Sequence, residues 1–304
     1  MAKAGLLFAG TEDGLVLFSD PGGIGRWLRV GHELRGNTIR AIWLEAGNPL
    51  VVLAALAGAG LQRSADGGRS WQTVFTDEVT SLTGGNRRAA QRMYLSTPQG
   101  AVYRSDDTGI QWTARASVGG EAIDNAHLIA SHADVQTLYL TLSDGSSHVS
   151  HDAGDSWEQF SSLLPAIVHT FAESPTQAGA LYATAAGQLY HSSRMTHWEP
   201  LNTPNLDSGA FALLGGKKET LLVNRKPGDV ARRDDTDAGW EETSVDTPWS
   251  GRFVVIVPAS YNIDVAFAGT DAGQLALSAD RGRFWQTMRH DLSAIRCIAA
   301  ARLA

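Results

Sequence analysis

The chain has 304 residues, a formal net charge of −7 and a pI of about 5.7, and its basic residues occur in short scattered pieces such as Arg87-Arg88 and Arg232-Arg233. Phosphate recognition needs a concentrated basic surface, so no nucleic-acid partner is expected. One cysteine, Cys297, excludes a disulfide framework and a cysteine-based zinc site, and no apolar stretch is long enough to span a membrane.

The chain opens with MAKAGLLFAG, whose apolar run is too short for a secretory leader. A soluble, cytoplasmic protein is the expectation, with export after loss of a leader as the alternative. Two short runs follow, GLLFAGT at 5–11 and GLVLFSD at 14–20, and then a tryptophan, Trp27. From there one order of segments recurs. An apolar segment (TIRAIWLE) precedes a second run (LVVLAAL), a third (GLQRS), a tight turn ending in Trp71, and a short strand after it (WQTVF). Later copies carry RMYLST and AVYRS before Trp112, TLYLTL and SHVSH before Trp157, ALYATA and QLYHS before Trp198, TLLVN and DVARR before Trp240, and DVAFAGT and QLALS before Trp285.

Short runs rich in β-branched and aromatic residues, bounded by turn formers, read as strands. Successive turn-closing tryptophans are 44, 41, 45, 41, 42 and 45 residues apart. Four antiparallel strands per period is the blade of a β-propeller, and seven periods predict seven blades in one domain over 1–304. The chain starts at a blade's second strand and ends on SAIRCIAAARLA, which aligns with the first-strand segments. The last strand should therefore complete the N-terminal blade and remove an open sheet edge.

Four turns share S-x-D-x-G-x-x-W: Ser64, Asp66, Gly68 and Trp71; Ser105, Asp107, Gly109 and Trp112; Ser150, Asp152, Gly154 and Trp157; and Ser278, Asp280, Gly282 and Trp285. In each, the Asp and Ser oxygens are placed to accept backbone amides, the Gly to take a positive φ, and the Trp to cover the hairpin. Copies ending at Trp27, Trp198 and Trp240 are decayed: Ser193 and Met195 stand at the Asp and Gly positions of one, and Arg233 and Asp237 replace Ser and Gly in another. The chain resembles the Asp-box (BNR) repeat family, whose members include sialidases, xyloglucan-type hydrolases, sortilin-type receptors and photosystem II assembly factors. That resemblance implies the propeller fold more firmly than any one role.

An enzyme reading implied by the sialidase likeness meets departures. There is no Arg-Ile-Pro motif, seven blades are predicted instead of six, and Tyr94, Tyr139 and Tyr182 recur at one strand position while Tyr103 and Tyr190 recur at another. Repeating tyrosines are read as packing, which leaves Tyr261 outside the pattern with no matching Glu. The acids in TDEVT and RRDDTD fall at turn positions and are read as solvated. His148 and His151 carry no metal-site spacing, and no cofactor or metal is expected.

Residues ten to thirteen positions past each Trp should begin the innermost strands, and around the ring these are Arg296, Arg40, Ser81, Asp124, His169, Ala210 and Arg252. Arg252, Arg296 and Arg40 then occupy three consecutive blades, with Asp124 and His169 roughly opposite. Three guanidinium groups suit a carboxylate or phosphate; the alternative is a set of channel-lining salt bridges. Two tryptophans fall outside the period: Trp43, read as core, and Trp249, in a Pro/Gly-bounded loop, read as a partner contact. The expectation is a non-catalytic, monomeric scaffold that binds a protein or a small anionic or carbohydrate ligand through the channel mouth. A sialidase-like glycoside hydrolase acting on an acidic sugar is the alternative.

Overall fold

A computed structural model describes residues 4–45, 47–84, 89–118, 126–160, 163–165, 168–193, 197–203, 205–207, 209–225, 229–234 and 239–303. Every regular element among them is a β-strand, arranged as seven sheets that are antiparallel except where the short strand Ser244–Val245 adds in parallel to the outer edge of the last. Blade 2 shows the common order from the inside outward: Ile39–Leu44, Val52–Leu56, Gly60–Ser64 and Gln72–Phe75. The innermost strands of the later blades are Ser81–Gly84, Ala126–Ala130, Val168–Glu173, Phe211–Leu214 and Phe253–Pro258. Blade 1 combines Gly5–Thr11, Gly14–Asp20 and Leu28–Glu33 with the C-terminal strand Ile295–Arg302, which lies innermost. The innermost strands touch one another in ring order and the last meets the first, so the circle is closed as the repeat predicted.

Why the second strand of each blade is a continuous apolar run follows from where its two faces go. In Val52–Leu56, Val52, Ala54 and Leu56 pack toward blade 1, whereas Leu53 and Ala55 pack toward blade 3. A strand buried on both faces has no solvent side, so polar residues do not alternate with apolar ones. The apolar clusters formed by the described residues each join two adjacent blades, and blade follows blade around the ring in this way.

The seven periodic tryptophans are shared out among these joints. Trp27 stands between blades 7 and 1, Trp71 between 1 and 2, Trp112 between 2 and 3, and Trp157 between 3 and 4. Trp198, Trp240 and Trp285 fill the remaining three. Each therefore does more than cover its own hairpin, because it reaches back to the preceding blade. Trp157 donates its indole N–H to Ala116 O (3.0 Å) and Trp198 to Ser147 Oγ (3.1 Å), both across a joint.

The four intact turns share one hydrogen-bond scheme. Ser64 Oγ donates to Asp66 Oδ1 (2.8 Å) and accepts from Gly68 N (2.8 Å), while Asp66 Oδ1 accepts from Arg69 N and Ser70 N, each at 2.9 Å. Ser105 and Asp107, Ser150 and Asp152, and Ser278 and Asp280 repeat the Ser-to-Asp bond and the Gly amide bond to Ser Oγ. Gly68, Gly109, Gly154 and Gly282 all have φ between 79° and 95°. The residue before each Gly is also left-handed, and in three turns it is not Gly: Thr108 (φ 59°), Ala153 (61°) and Arg281 (62°).

The decayed copies keep their tryptophans by other means. In the first, Asp20 carries the turn by accepting from Gly25 N (2.7 Å) and Ile24 N (3.3 Å). In the copy ending at Trp240, Arg233 has taken the Ser position and its guanidinium lies 4.6 Å from the Trp240 ring centre. Beside it Arg232, fully buried, is held by Asp234 (2.5 Å) and Glu241. Met195 and Asp237 lie outside the described residues. For the copy ending at Trp198, Phe160 stacks on the indole at 5.8 Å.

The joints are tight enough to select residues. A Cβ on Gly10 would stand 2.8 Å from Ile39 Cγ2 and 2.5 Å from Cys297 Sγ, and one on Gly269 would stand 2.7 Å from Ile295 Cγ2. Gly10 and Gly269 are equivalent positions in blades 1 and 7, and each receives the first buried isoleucine of the next innermost strand. Gly10→Ala should therefore lower stability by about 1–3 kcal/mol through overpacking, read as a fall in the urea midpoint with m unchanged.

The turn carboxylates carry a pH signature. The hydroxyl and amide of Ser156 and the hydroxyl of Ser150 pull Asp152 down to about 2, and the same contacts from Ser70 and Ser64 hold Asp66 well below the usual carboxylate range. A carboxylate with a lowered folded pKa stabilises fully above its unfolded value of 3.8 and ceases to do so as pH falls through about 2. Urea midpoints of the wild type should accordingly decline between about pH 4 and pH 2, and Asp152→Asn should be less stable at pH 7 with a shallower decline.

Candidate functional site

Each innermost strand starts at one mouth of the channel. Ile39, Val168, Phe253 and Ile295 occupy equivalent, fully buried positions there. After each, the strand pairing shifts by one residue, which leaves Arg40, His169, Val254 and Arg296 as the extra residues of β-bulges. A bulged residue is released from the alternation of the strand and re-aimed. This device sets Arg40 and Arg296 at the mouth.

The expected trio of arginines reduces to a pair. Val254, not Arg252, is the blade 7 equivalent of Arg40 and Arg296, so counting from Trp240 placed the register two residues early. Arg252 is exposed ahead of the strand, its backbone N–H donating to Asp271 Oδ1 (2.7 Å). Arg40 and Arg296 line one opening of about 520 Å³ together with Glu12, Thr38, Ala57, Thr80 and His127. Arg40 Nη2 lies 2.9 Å from Glu78 Oε1, and Arg296 is paired with Glu12. Asp124 lies outside the described residues, and His169 is placed only by its backbone. Ser81 staples blades 3 and 4, donating to Leu128 O (2.9 Å) and accepting from Leu128 N (3.1 Å), and Ala210 is buried between blades 6 and 7.

Glu12, Glu78 and His127 were missed by the repeat alignment. Glu12 sits in the turn between the first two runs and Glu78 in TDEVT, where turn acids had been read as merely solvated. The usable signal was the fully buried residue just before each bulge, which fixes register independently of loop length.

The tyrosines do pair with glutamates, and those pairs join blades. Tyr182 OH donates to Glu219 Oε2 (2.9 Å), and Tyr139 OH donates to Glu173 Oε1 (3.4 Å), one blade earlier and in the same arrangement. Glu173, with 4% of its side chain exposed, also accepts from Ser131 Oγ (3.0 Å), His132 N (2.9 Å) and Gly179 N (2.9 Å), and meets His132 Nδ1 at 2.8 Å. Burial, with Glu173 adjacent, pushes the Tyr139 phenol upward, away from the phenolate a nucleophile needs. Recurrence at two successive joints marks these as staples.

Of the two off-period tryptophans, Trp249 is reassigned, whereas Trp43 packs, partly buried, on the core cluster between blades 2 and 3. Trp249 is half-buried against Phe253 (4.6 Å between ring centres) and Trp285 (5.9 Å), so it closes the joint between blades 6 and 7 and is not a partner-facing ring. Trp43 is partly buried at the far end of its innermost strand, donating to Gly84 O (3.3 Å), and its remaining surface lines a second opening. That opening, about 700 Å³, is the opposite mouth, where the innermost strands of blades 7, 1, 2 and 3 end.

No protein-family model matches the chain, and no curated protein matches it. Solved structures do. One, described as YCF48 bound to D1 peptide, superposes with a TM-score of 0.62 at 17% identity over 83% of this chain and 82% of that one. YCF48 from Cyanidioschyzon merolae gives 0.60 at 12% identity over 85% and 87%. An ancestral GH74 enzyme gives 0.63 at 14% identity over 94% of this chain but 46% of its own, so the present chain spans about half of that enzyme. At such identities the likeness is one of fold.

The two kinds of charged contact should separate in denaturation experiments. Arg40→Ala, at an exposed pair, is expected to cost about 0–1 kcal/mol. Glu173→Ala, which strips a buried carboxylate from several donors, should cost about 3 kcal/mol or more; equal effects would contradict the distinction.

Proposed function

We propose that the chain is a non-catalytic propeller of the Asp-box type, a single domain over residues 1–304, that binds a protein partner through the mouth carrying Arg40 and Arg296. The observation that carries this reading is the charge mosaic there. Arg40 with Glu78 and Arg296 with Glu12 frame an opening of about 520 Å³ with both signs of charge. A protein surface offers both signs and can exchange partners with such pairs, and complementary rims of this kind set orientation and on-rate. A small acidic ligand would instead have to displace two glutamates from the two arginines that line that opening among the described residues.

Two further points support a partner over a substrate. The structure of similar length in the comparison is described as bound to a peptide, whereas the GH74 enzyme is about twice as long. The tyrosine–glutamate couples that a sialidase-like mechanism would need hold blades together at buried joints. Hydrolysis of an acidic sugar remains the second reading, favoured by Glu12 lying beside two arginines in an open cavity.

Peptides selected from a random phage library on the immobilised full chain should lose about tenfold or more in affinity when Arg40 and Arg296 are both changed to Glu, and should bind more weakly as salt rises. Unchanged affinity would remove this mouth from the proposal. Turnover of any fluorogenic acidic glycoside, abolished by Glu12→Gln, would instead establish the hydrolase.

A further inference from the structure

Among the tyrosines that recur at one strand position, Tyr94 has a hydroxyl that makes no hydrogen bond, and it marks a site apart from both mouths. Strand pairing fixes its equivalence with Tyr139. Met93 faces Ser105 and Leu138 faces Ser150, the first residues of two intact turns, and in each blade the tyrosine is the next residue along. Tyr94 packs toward blade 4 as Tyr139 packs toward blade 5, each 2% exposed.

What separates them is the innermost strand they meet. Glu173 pairs with Leu181, the residue before Tyr182, and Ala130 pairs with Leu138, the residue before Tyr139. Ala130 of blade 4 is therefore the equivalent of Glu173 of blade 5. Tyr139 OH donates to the Glu173 carboxylate, but a methyl group stands at the corresponding position opposite Tyr94. A buried hydroxyl without a partner is unfavourable, and native structures satisfy nearly all of them with protein or with ordered water.

The shorter side chain leaves a cavity between blades 3 and 4, with about 10 Å³ open to the centre of a water molecule, whose lining includes Tyr94, Ala130, Arg92 and Ser131. That is roughly the room one water needs, and far less than an organic ligand occupies. The neighbouring polar side chains hold partners of their own. Arg92 Nε donates to Asp106 Oδ1 (2.8 Å) and Nη1 to Gln136 Oε1 (3.2 Å), while Ser131 Oγ donates to Glu173 Oε1 (3.0 Å). Burial pushes the Tyr94 phenol up, with the Arg92 charge opposing, so it is a neutral donor at physiological pH.

We infer that the joint between blades 3 and 4 is a binding site for one structural water, which accepts from Tyr94 OH in the place that the Glu173 carboxylate fills one joint further on. Cavities that stay dry are walled by hydrocarbon, whereas this one has a phenol, a guanidinium and a serine in its lining, which suits a bonded water. The two joints thus reach the same end, a satisfied buried phenol, with a side chain in one and a solvent molecule in the other.

A crystal structure of the full chain and urea denaturation of three variants test this. The crystal structure should show one ordered water about 2.5–3.0 Å from Tyr94 Oη. Tyr94→Phe alone removes a bonded hydroxyl and should lower the urea midpoint, by about 0.3 M. Ala130→Val should also lower it, because the added methyl groups displace the water and strand the phenol. Tyr94→Phe made in the Ala130→Val background should then raise the midpoint, since it removes the stranded group. A rise on Tyr94→Phe alone would show a phenol with no partner and overturn the inference. So would a rise on Ala130→Val alone, the response of a dry cavity being filled, or a crystal structure with ordered waters elsewhere and none at Tyr94. If Ala130→Val fails to fold, the crystal structure and Tyr94→Phe decide the matter.

Discussion

Burial of both faces of every sheet against its two neighbours is the constraint from which the rest of this structure follows. A single blade of this chain has no solvent side: Leu7 and Ala9 turn one way, Phe8 the other, and each face finds its partner only in an adjacent blade. A row of such sheets leaves two bare faces at its ends, and the only arrangement without bare faces is a closed ring. The last strand therefore completes the first blade, and Ile295 fills the notch at Gly269 as Ile39 fills the one at Gly10. The seven periodic tryptophans belong to the same constraint, one at every joint.

With the apolar surface committed to joints, chemistry is left to what the joints do not use. At one mouth a β-bulge frees a residue from strand alternation, and arginines placed there are met by Glu12 and Glu78 from neighbouring turns. At the other mouth the innermost strands run out with small or apolar residues, and Trp43, Tyr261 and Arg302 stand around an open cavity. One mouth is polar with mixed charge, while the other is apolar with a single cation among its described lining residues.

Several charged groups inside the joints are bonded from blade to blade and are therefore structural. Glu173 gathers donors from two blades, Arg232 is enclosed by Asp234 and Glu241, and Arg281 donates to Thr220 Oγ1 (2.8 Å) and to Gly215 O (2.9 Å) in the preceding blade. Buried charge is tolerable only when bonded in this manner. It also explains how a box turn loses its Ser or Asp and keeps its place. In the sixth copy, Arg233 over Trp240 secures the indole that the missing hydrogen bonds would have positioned.

The repeat was legible because it is local: a turn of eight residues must bond its own amides, so Ser, Asp, Gly and Trp recur wherever the turn does, and their period counts the blades. Closure was legible too, since a chain that begins at a second strand and ends on a first has one economical way to join. What the sequence could not settle is which residues meet at the axis. Those contacts bring together positions far apart in the chain, such as Glu12 with Arg296, and a single bulge or loop insertion shifts the register by a residue or two. So Arg252 was aligned where Val254 belongs, Trp249 was read as exposed although it closes a joint, and Glu78 was passed over as a turn acid. Local hydrogen bonding and strand period determined the architecture from the sequence alone; bulges and the packing of one blade on the next decided which side chains face the two mouths.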